Sequence, residues 1–365
     1  MNNLEKCVNL NFLFLGMPVI KNLFGTVGAP HAVPLQDKLY SADDETLKSV
    51  YGFNQHLINK FNKIKKENPA KKEIEKCAKP GIKIITIEDE MYPEKLRNIF
   101  DPPLCLYYKG ALPVKDELTI AIVGSRNATP FGKVNAENIS QSLASHGINI
   151  VSGMARGIDT HAHMGALRSG GRTTAVLGCG LDVIYPPENK KLMNQICEKG
   201  AVISEFPLGT EPFPRNFPMR NRIISGLSTA IIVVEASDKS GSLITANCAL
   251  EQGRDVFAMP GNTLSAVAKG VNKLIKEGAR LVENAEDIFA ELGIETKAKK
   301  IKKEKTIANL TENEHKIYSL LEESLNIEEI SIESGLPINI LSSTLTIMES
   351  KGIIKKLPGN VYIRQ

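Results

Sequence analysis

The chain has 365 residues, of which 42% are apolar and 24% charged, the proportions of a globular protein of two or three domains and not of a disordered or fibrous one. Its 45 basic and 41 acidic side chains leave a formal charge of +4, which by itself announces no polyanionic partner. Six cysteines (Cys7, Cys77, Cys105, Cys179, Cys197, Cys248) lie far apart with no CxxC pair, so neither a zinc ribbon nor a disulfide framework is indicated and a reducing cytoplasm is expected.

The apolar stretch at 10–20 is interrupted by Asn11, Gly16 and Pro18 and falls short of the roughly 20 residues that span a bilayer. It reads as a short buried helix, and no membrane association is expected. Helical spacing over 46–66 and the absence of strand-like alternation mark residues 1–76 as a small helical N-terminal domain. Its segment 60–76, with seven lysines and three glutamates, reads as a solvated helix face or linker.

From residue 82 the pattern changes to short apolar runs bounded by glycine: 83–87, 104–108, 119–123, 148–151, 174–177, 201–203, 230–234, 255–258 and 280–282. Strands apolar throughout, alternating with helices, predict an α/β, Rossmann-like, doubly wound, mostly parallel sheet over residues 77–292. Ligands of such sheets bind beyond the carboxyl ends of the strands. Residues 293–306, with six lysines and two glutamates, read as a linker. In residues 307–365, Thr311 and Glu314 form a capping box opening a helix to about 323, and further helices are expected at 327–334 and 338–351. Two strands at 353–363 around Pro358, Gly359 and Asn360 complete a winged helix. Its third helix offers Asn339, Ser342, Ser343 and Thr346 but no arginine, so it reads as a protein-interaction or accessory module and not as a sequence-specific DNA reader.

The strand ends carry the chemistry. Gly124, Ser125 and Arg126 follow the strand at 119–123 as a compact oxyanion cradle: glycine admits a close ligand, serine donates, and guanidinium forks onto phosphate. The spacing is not that of a Walker A loop. After the next strand, Asp159 reads as a helix N-cap. His161 and His163, two apart on a helix, face different ways, so no metal site is expected. Gly178-Cys179-Gly180 lacks the third glycine of a dinucleotide fingerprint, so no cofactor is expected. The loop after 201–203 holds four prolines, with Arg215, Phe217, Arg220, Asn221 and Arg222 close together. A cationic track with a stacking ring suits single-stranded nucleic acid. A surface loop whose arginines pair with Glu205 and Glu211 is the competing reading. Ser240, Gly241 and Ser242 open a helix as a second anion site. Two such loops on non-adjacent strands suggest a polyanion lying across the sheet edge. Arginine usage points the same way: nine of 11 arginines, against 34 lysines, fall between 119 and 290.

Taken in order, these residues resemble the DNA-processing protein A (DprA/Smf) family. The likeness covers about 82–292 and rests on Tyr92-Pro93, Asp101-Pro102-Pro103, Gly124-Ser125-Arg126, Ser152-Gly153, Gly157-Ile158-Asp159, Tyr185-Pro186, Phe217-Pro218, Arg220-Asn221-Arg222, Ser240-Gly241-Ser242 and Pro260-Gly261. The resemblance implies a cytoplasmic, homodimeric, non-enzymatic protein that binds and protects single-stranded DNA and loads the recombinase RecA onto it in transformation or recombination. By the same resemblance, Gly124, Ser125 and Arg126 hold a phosphate, Arg215, Phe217, Arg220, Asn221 and Arg222 line the strand's path, and Ser240, Gly241 and Ser242 supply the second pocket. The alternative is a nucleotide-processing phosphoribohydrolase of the related LOG fold group. That group's PGG-x-GT motif is replaced here by Asp238 to Ser242, with Glu251 the nearby candidate acid.

Overall fold

Every residue is buried in the runs Thr119–Val123, Asn149–Ser152, Thr173–Val176, Ala201–Ser204 and Ala230–Val233, as strands covered on both faces require. The computed structural model describes residues 1–14, 35–49, 53–115, 117–294, 310–321, 324–351, 353–357 and 360–364. The chain forms two compact units, Met1–Glu291 and Leu292–Gln365. The first, here the body, is built on a nine-stranded sheet of order β1-β2-β6-β5-β4-β3-β7-β8-β9. The strands are β1 (Lys83–Thr86), β2 (Cys105–Gly110), β3 (Thr119–Val123), β4 (Asn149–Ser152), β5 (Thr173–Val176), β6 (Ala201–Ser204), β7 (Ala230–Val233), β8 (Asp255–Ala258) and β9 (Arg280–Leu281). From β6 to β9 the pairing is parallel. β1 and β2 extend the β6 edge as antiparallel strands.

Among the described residues, the body opens with α1 (Asn3–Phe14), α2 (Leu35–Ser41), α3 (Asp44–Ser49), α4 (Gln55–Glu67) and α5 (Pro69–Ala78). The periodic stretch expected at 46–66 is thus two helices, with residues 50–52 outside those described; residues 15–20 of the expected first helix also lie outside them. The Asn54 side chain caps α4 by accepting from the Leu57 amide. Asn68, at φ 46°, ends it, and Pro69 starts α5, where its missing N–H costs nothing. The seven lysines of 60–76 face solvent while Phe61, Ile64 and Ala70 are buried. These helices share a core with Leu104 and Cys105 of the sheet, and Asn11 donates to the Glu205 carbonyl at 2.9 Å.

The helices that follow are α6 (Glu94–Arg97), α7 (Pro130–Ser145), α8 (Ile158–Arg168), α9 (Lys190–Lys199), α10 (Asn216–Leu227), α11 (Gly241–Glu251), α12 (Lys269–Lys276) and α13 (Ala285–Glu291). The chain leaves β3 toward β4, β5 and β6 on one side and resumes at β7, β8 and β9 on the other, which makes the β3–β7 boundary the topological switch point, where such sheets hold ligands. The cradles after 119–123 and 230–234, expected on non-adjacent strands, therefore sit side by side.

The second unit contains α14 (Glu312–Leu320), α15 (Ile327–Ser334) and α16 (Ile338–Ser350) with β10 (Leu325–Asn326), β11 (Ile354–Leu357) and β12 (Val361–Arg364), paired antiparallel in the order β10-β12-β11. This is a winged helix. The Thr311–Glu314 capping box is formed, and a second one, Asn326–Glu329, opens α15. Ile317, Ile330, Leu341, Leu345, Met348 and Tyr362 make its core. Residues 295–306 of the lysine-rich segment, residues 322 and 323 of the first expected helix, and Pro358 and Gly359 of the expected turn lie outside the described residues. Among the described residues, no helix is long and apolar enough to cross a membrane.

Candidate nucleic-acid interface

At the β3–β7 switch point lies a cleft of about 480 Å³ lined by both cradles and by α10. The loop after β3 is held by the Ile158 amide, which donates to the Ser125 carbonyl at 3.2 Å, and by Glu235. The Glu235 carbonyl accepts from the Ser125 amide at 2.7 Å. The Glu235 carboxylate accepts from the Thr129 amide at 2.9 Å and from the Thr129 hydroxyl. Thr129 in turn caps α7 by accepting from the Gly132 amide at 3.0 Å. The Ser125 oxygen accepts from the Asn127 amide at 3.2 Å. What remains to offer a ligand is the Ser125 hydroxyl proton and the exposed Arg126 guanidinium. Gly157, at φ 76°, lets the next loop pass under this one, since a Cβ there would stand 2.3 Å from the Ser125 carbonyl oxygen.

Arg220 forms the floor. It is 3% exposed, donates to the Gly153 carbonyl at 2.7 Å and to the Val176 carbonyl, and faces the cleft without a bidentate carboxylate. Burial pushes its pKa down to about 10, partly offset by Asp159, so at neutral pH it stays cationic. Gly153 makes room for it: a Cβ would lie 2.5 Å from a guanidinium nitrogen. Asp159 is the carboxylate lining the cleft. Burial holds its pKa above the usual range, against Arg220. It accepts from the amides of Gly153 at 3.1 Å and Ala155 at 3.4 Å, so it ties down the preceding loop, whereas the sequence suggested a helix cap. On the opposite wall, the Ser240 oxygen caps α11 through the Ser242 amide and lies 2.7 Å from the Ser242 hydroxyl. Asn221 reaches across to the Gly241 carbonyl at 3.2 Å.

Gly124, Ser125, Arg126, Phe217, Arg220, Asn221, Ser240, Gly241 and Ser242 thus line one cleft. Arg215 and Arg222 do not. Arg215 is exposed, its guanidinium 5.5 Å from the Phe213 ring centroid. Arg222 is bound to Asp101 at 2.9 Å and Glu205 at 2.7 Å. Although burial works against its charge, these carboxylates hold its pKa above the ordinary arginine value. Phe217, expected as a platform for a base, has the guanidinium carbons of Arg126 and Arg220 at 4.7 and 5.9 Å from its centroid and Tyr185 at 5.5 Å. Its ring orients cations. The concentration of arginines in the body has a largely structural cause: Arg156 pairs with Glu188, Arg168 with Glu137, Arg172 with Glu117, and Arg280 with Asp255 and Glu291.

Of the remaining candidates, His161 lies 3.1 Å from Glu137, and His163 is buried with Nδ1 2.7 Å from the Thr173 hydroxyl. Burial, with Arg220 adding, pushes the pKa of His163 down to about 3. Glu251 ends α11 and does not line the cleft. The sequence reading gave no site role to Glu235, Tyr185, Pro212, Pro214 or Thr245, although Tyr185 and the prolines stood in its motifs. Glu235, an acidic residue directly after a strand and beside a cradle, also carried a local signal.

The family model described as DNA recombination-mediator protein A matches residues 83–293, more than half of the chain and the whole of this cleft. The chain belongs to that family. A second model, the DprA winged helix domain, matches residues 302–360. The DNA processing protein DprA of Streptococcus pneumoniae is 48% identical over 206 residues, which are 56% of this chain and 73% of that protein. An X-ray structure of the Streptococcus pneumoniae protein superposes with a TM-score of 0.60 at 43% identity, covering 64% of this chain and 81% of that one. DNA processing protein A of Helicobacter pylori, in a structure addressing its single-stranded DNA binding mode, superposes with a TM-score of 0.51 at 31% identity over 57% of this chain and 95% of that one.

Proposed function

We propose that this recombination-mediator family member binds single-stranded DNA along the β3–β7 cleft, shields it, and loads RecA onto it, acting as a homodimer in the cytoplasm. The observation that carries the reading is the pair of guanidinium groups, one exposed and one buried, set on the Phe217 ring between two hydroxyl-bearing cradles. A buried cation lacking a bidentate carboxylate partner favours an anion at that spot, and two cradles facing each other fit a phosphodiester chain passing between them. The Helicobacter pylori relative's single-strand binding supports the choice of strand. In this reading Arg126, Arg220, Ser125 and the Ser240–Ser242 turn meet the backbone, Arg215 stands at the rim, and Arg222 braces α10.

Hydrolysis of nucleotides needs an acid–base pair, and the cleft offers Asp159, whose carboxylate already accepts two backbone amides. The deciding experiment is titration of the full chain with single- and double-stranded DNA of equal length. Tighter binding to the single strand, weakening with salt, is expected; equal or stronger duplex binding sinks the proposal. Sedimentation tests the dimer. Strand exchange by RecA on single strands coated with single-strand-binding protein, with and without this chain, tests the loading step. Release of free base from nucleoside monophosphates would favour the enzymatic alternative.

A further inference from the structure

We propose that Phe131, in the first turn of α7, is the surface on which a base of the bound strand stacks; this rests on the single-strand reading above and adds a base-contacting subsite to a cleft that otherwise meets only phosphates. A single strand passing a cationic groove gains most of its non-specific affinity beyond charge from aromatic faces open to its bases. Phe217 already has Arg126, Arg220 and Tyr185 against its ring, and a Cβ at Gly178 would come within 3.1 Å of it, so a second aromatic surface adds to it. Among the described residues the exposed phenylalanines are Phe100, Phe131 and Phe213, and Phe131 is the most open of them at 82%. Phe213 already carries the Arg215 guanidinium.

Position singles out Phe131 further. The chain runs from the exposed Arg126 and Asn127 through the capping Thr129 directly into Phe131. The same residue, Glu235, anchors both ends of that passage: its carbonyl holds the Ser125 amide and its carboxylate holds Thr129. Phe131 stands beside the cleft and does not line it, and the turn that carries it and the phosphate cradle are held to one residue, Glu235, through its carbonyl and its carboxylate, the preorganisation a two-point contact needs. Val134, 56% exposed and three residues along α7, stands on the same helix face as Phe131 and adds apolar surface beside it. An aromatic ring this open contributes little to the fold, and burying it under a base removes its apolar area from water.

The test uses the full chain and two probes of about 20 nucleotides: an oligothymidylate and a tetrahydrofuran oligomer with the same phosphodiester backbone and no bases. Phe131→Ala is expected to weaken oligothymidylate binding at least about fivefold, the equivalent of one lost stacking contact, while leaving the abasic oligomer's affinity unchanged. Phe131→Tyr restores wild-type binding. Equal loss on both probes, or no loss on oligothymidylate, overturns the stacking role. So does a changed sedimentation coefficient of the free Phe131→Ala protein with no base-dependent loss, which would place the ring between two copies of the chain. Failure of the wild-type protein to bind either probe overturns the single-strand reading and this proposal with it, an outcome separate from one in which the wild-type binds and Phe131→Ala matches it.

Discussion

In the body, the exposed Arg126 and the buried Arg220 share the Phe217 ring in the cleft, whereas in the winged-helix unit α16 presents Ile338, Ile340 and Ile347 and no basic side chain. Residues 307–365 hold five basic and eight acidic side chains, 5 − 8 = −3, and Lys351, which follows α16, is bound to Glu314 at 2.6 Å. Both units belong to architectures that meet nucleic acid elsewhere, yet their surfaces differ in kind. What decides is where cations stand and what holds them, and neither fold class nor bulk charge conveys it. In the body a few guanidinium groups are placed; among the described residues of the second unit, Lys351 is bound to Glu314 and Lys356 and Arg364 lie against Tyr362 and Tyr318, while α16 exposes isoleucines.

The largest effect expected concerns stability. Arg222→Ala leaves Glu205 buried without its partner, which should cost the body about 3–5 kcal/mol, read as a drop in denaturation midpoint; a variant as stable as wild-type would mean that Arg222 is free for a ligand after all. Arg126→Ala should do the reverse, leaving the melting temperature unchanged while lowering single-strand affinity about tenfold and reducing the slope of log affinity against log salt by about 0.7. An unaltered slope would remove Arg126 from the interface.

In the second unit, Glu314→Gln should lower stability by about 1 kcal/mol at neutral pH through the weakened capping box and the lost Lys351 pair. Although burial opposes it, Lys351 and the Thr311 amide hold the Glu314 carboxyl below its ordinary pKa. A depressed folded-state pKa means stability present above the unfolded value and lost as pH falls through the folded one. The gap between Glu314→Gln and wild-type should therefore close below the ordinary carboxylate range. A gap that persists in acid would assign it to packing. The smallest effect is expected from Ile338→Ser with Ile347→Ser: single-strand affinity within about twofold of wild-type, as for surface changes away from a contact. A tenfold loss would make α16 a nucleic-acid surface and erase the contrast between the units.

The parallel sheet was legible because strands buried on both faces leave unbroken apolar runs such as Ile120 to Val123. The first unit's helices and the winged helix were legible from spacing and from the Thr311–Glu314 box. The side-by-side placement of β3 and β7 was not, since parallel pairing joins segments far apart in sequence and no local pattern encodes which strands meet. For the same reason Arg220 and Arg222 looked equivalent. Two positions apart on α10, they point to different faces, one to the cleft and one to Asp101 and Glu205. The β1–β2 extension and β10 were too short or too polar to announce their partners. Glu235 escaped notice because its work is done through backbone amides, which every residue possesses.

Gly153 and Arg220 form a pair that can be altered in one order only. With the guanidinium where it stands, a Cβ at 153 would meet it at 2.5 Å, so any side chain there displaces Arg220. Any lineage or design that enlarges residue 153 must first shorten residue 220 and so pass through a protein lacking its deepest positive charge. The glycine behind the cleft thereby protects the guanidinium at its floor, and the site resists gradual change at its buried charge.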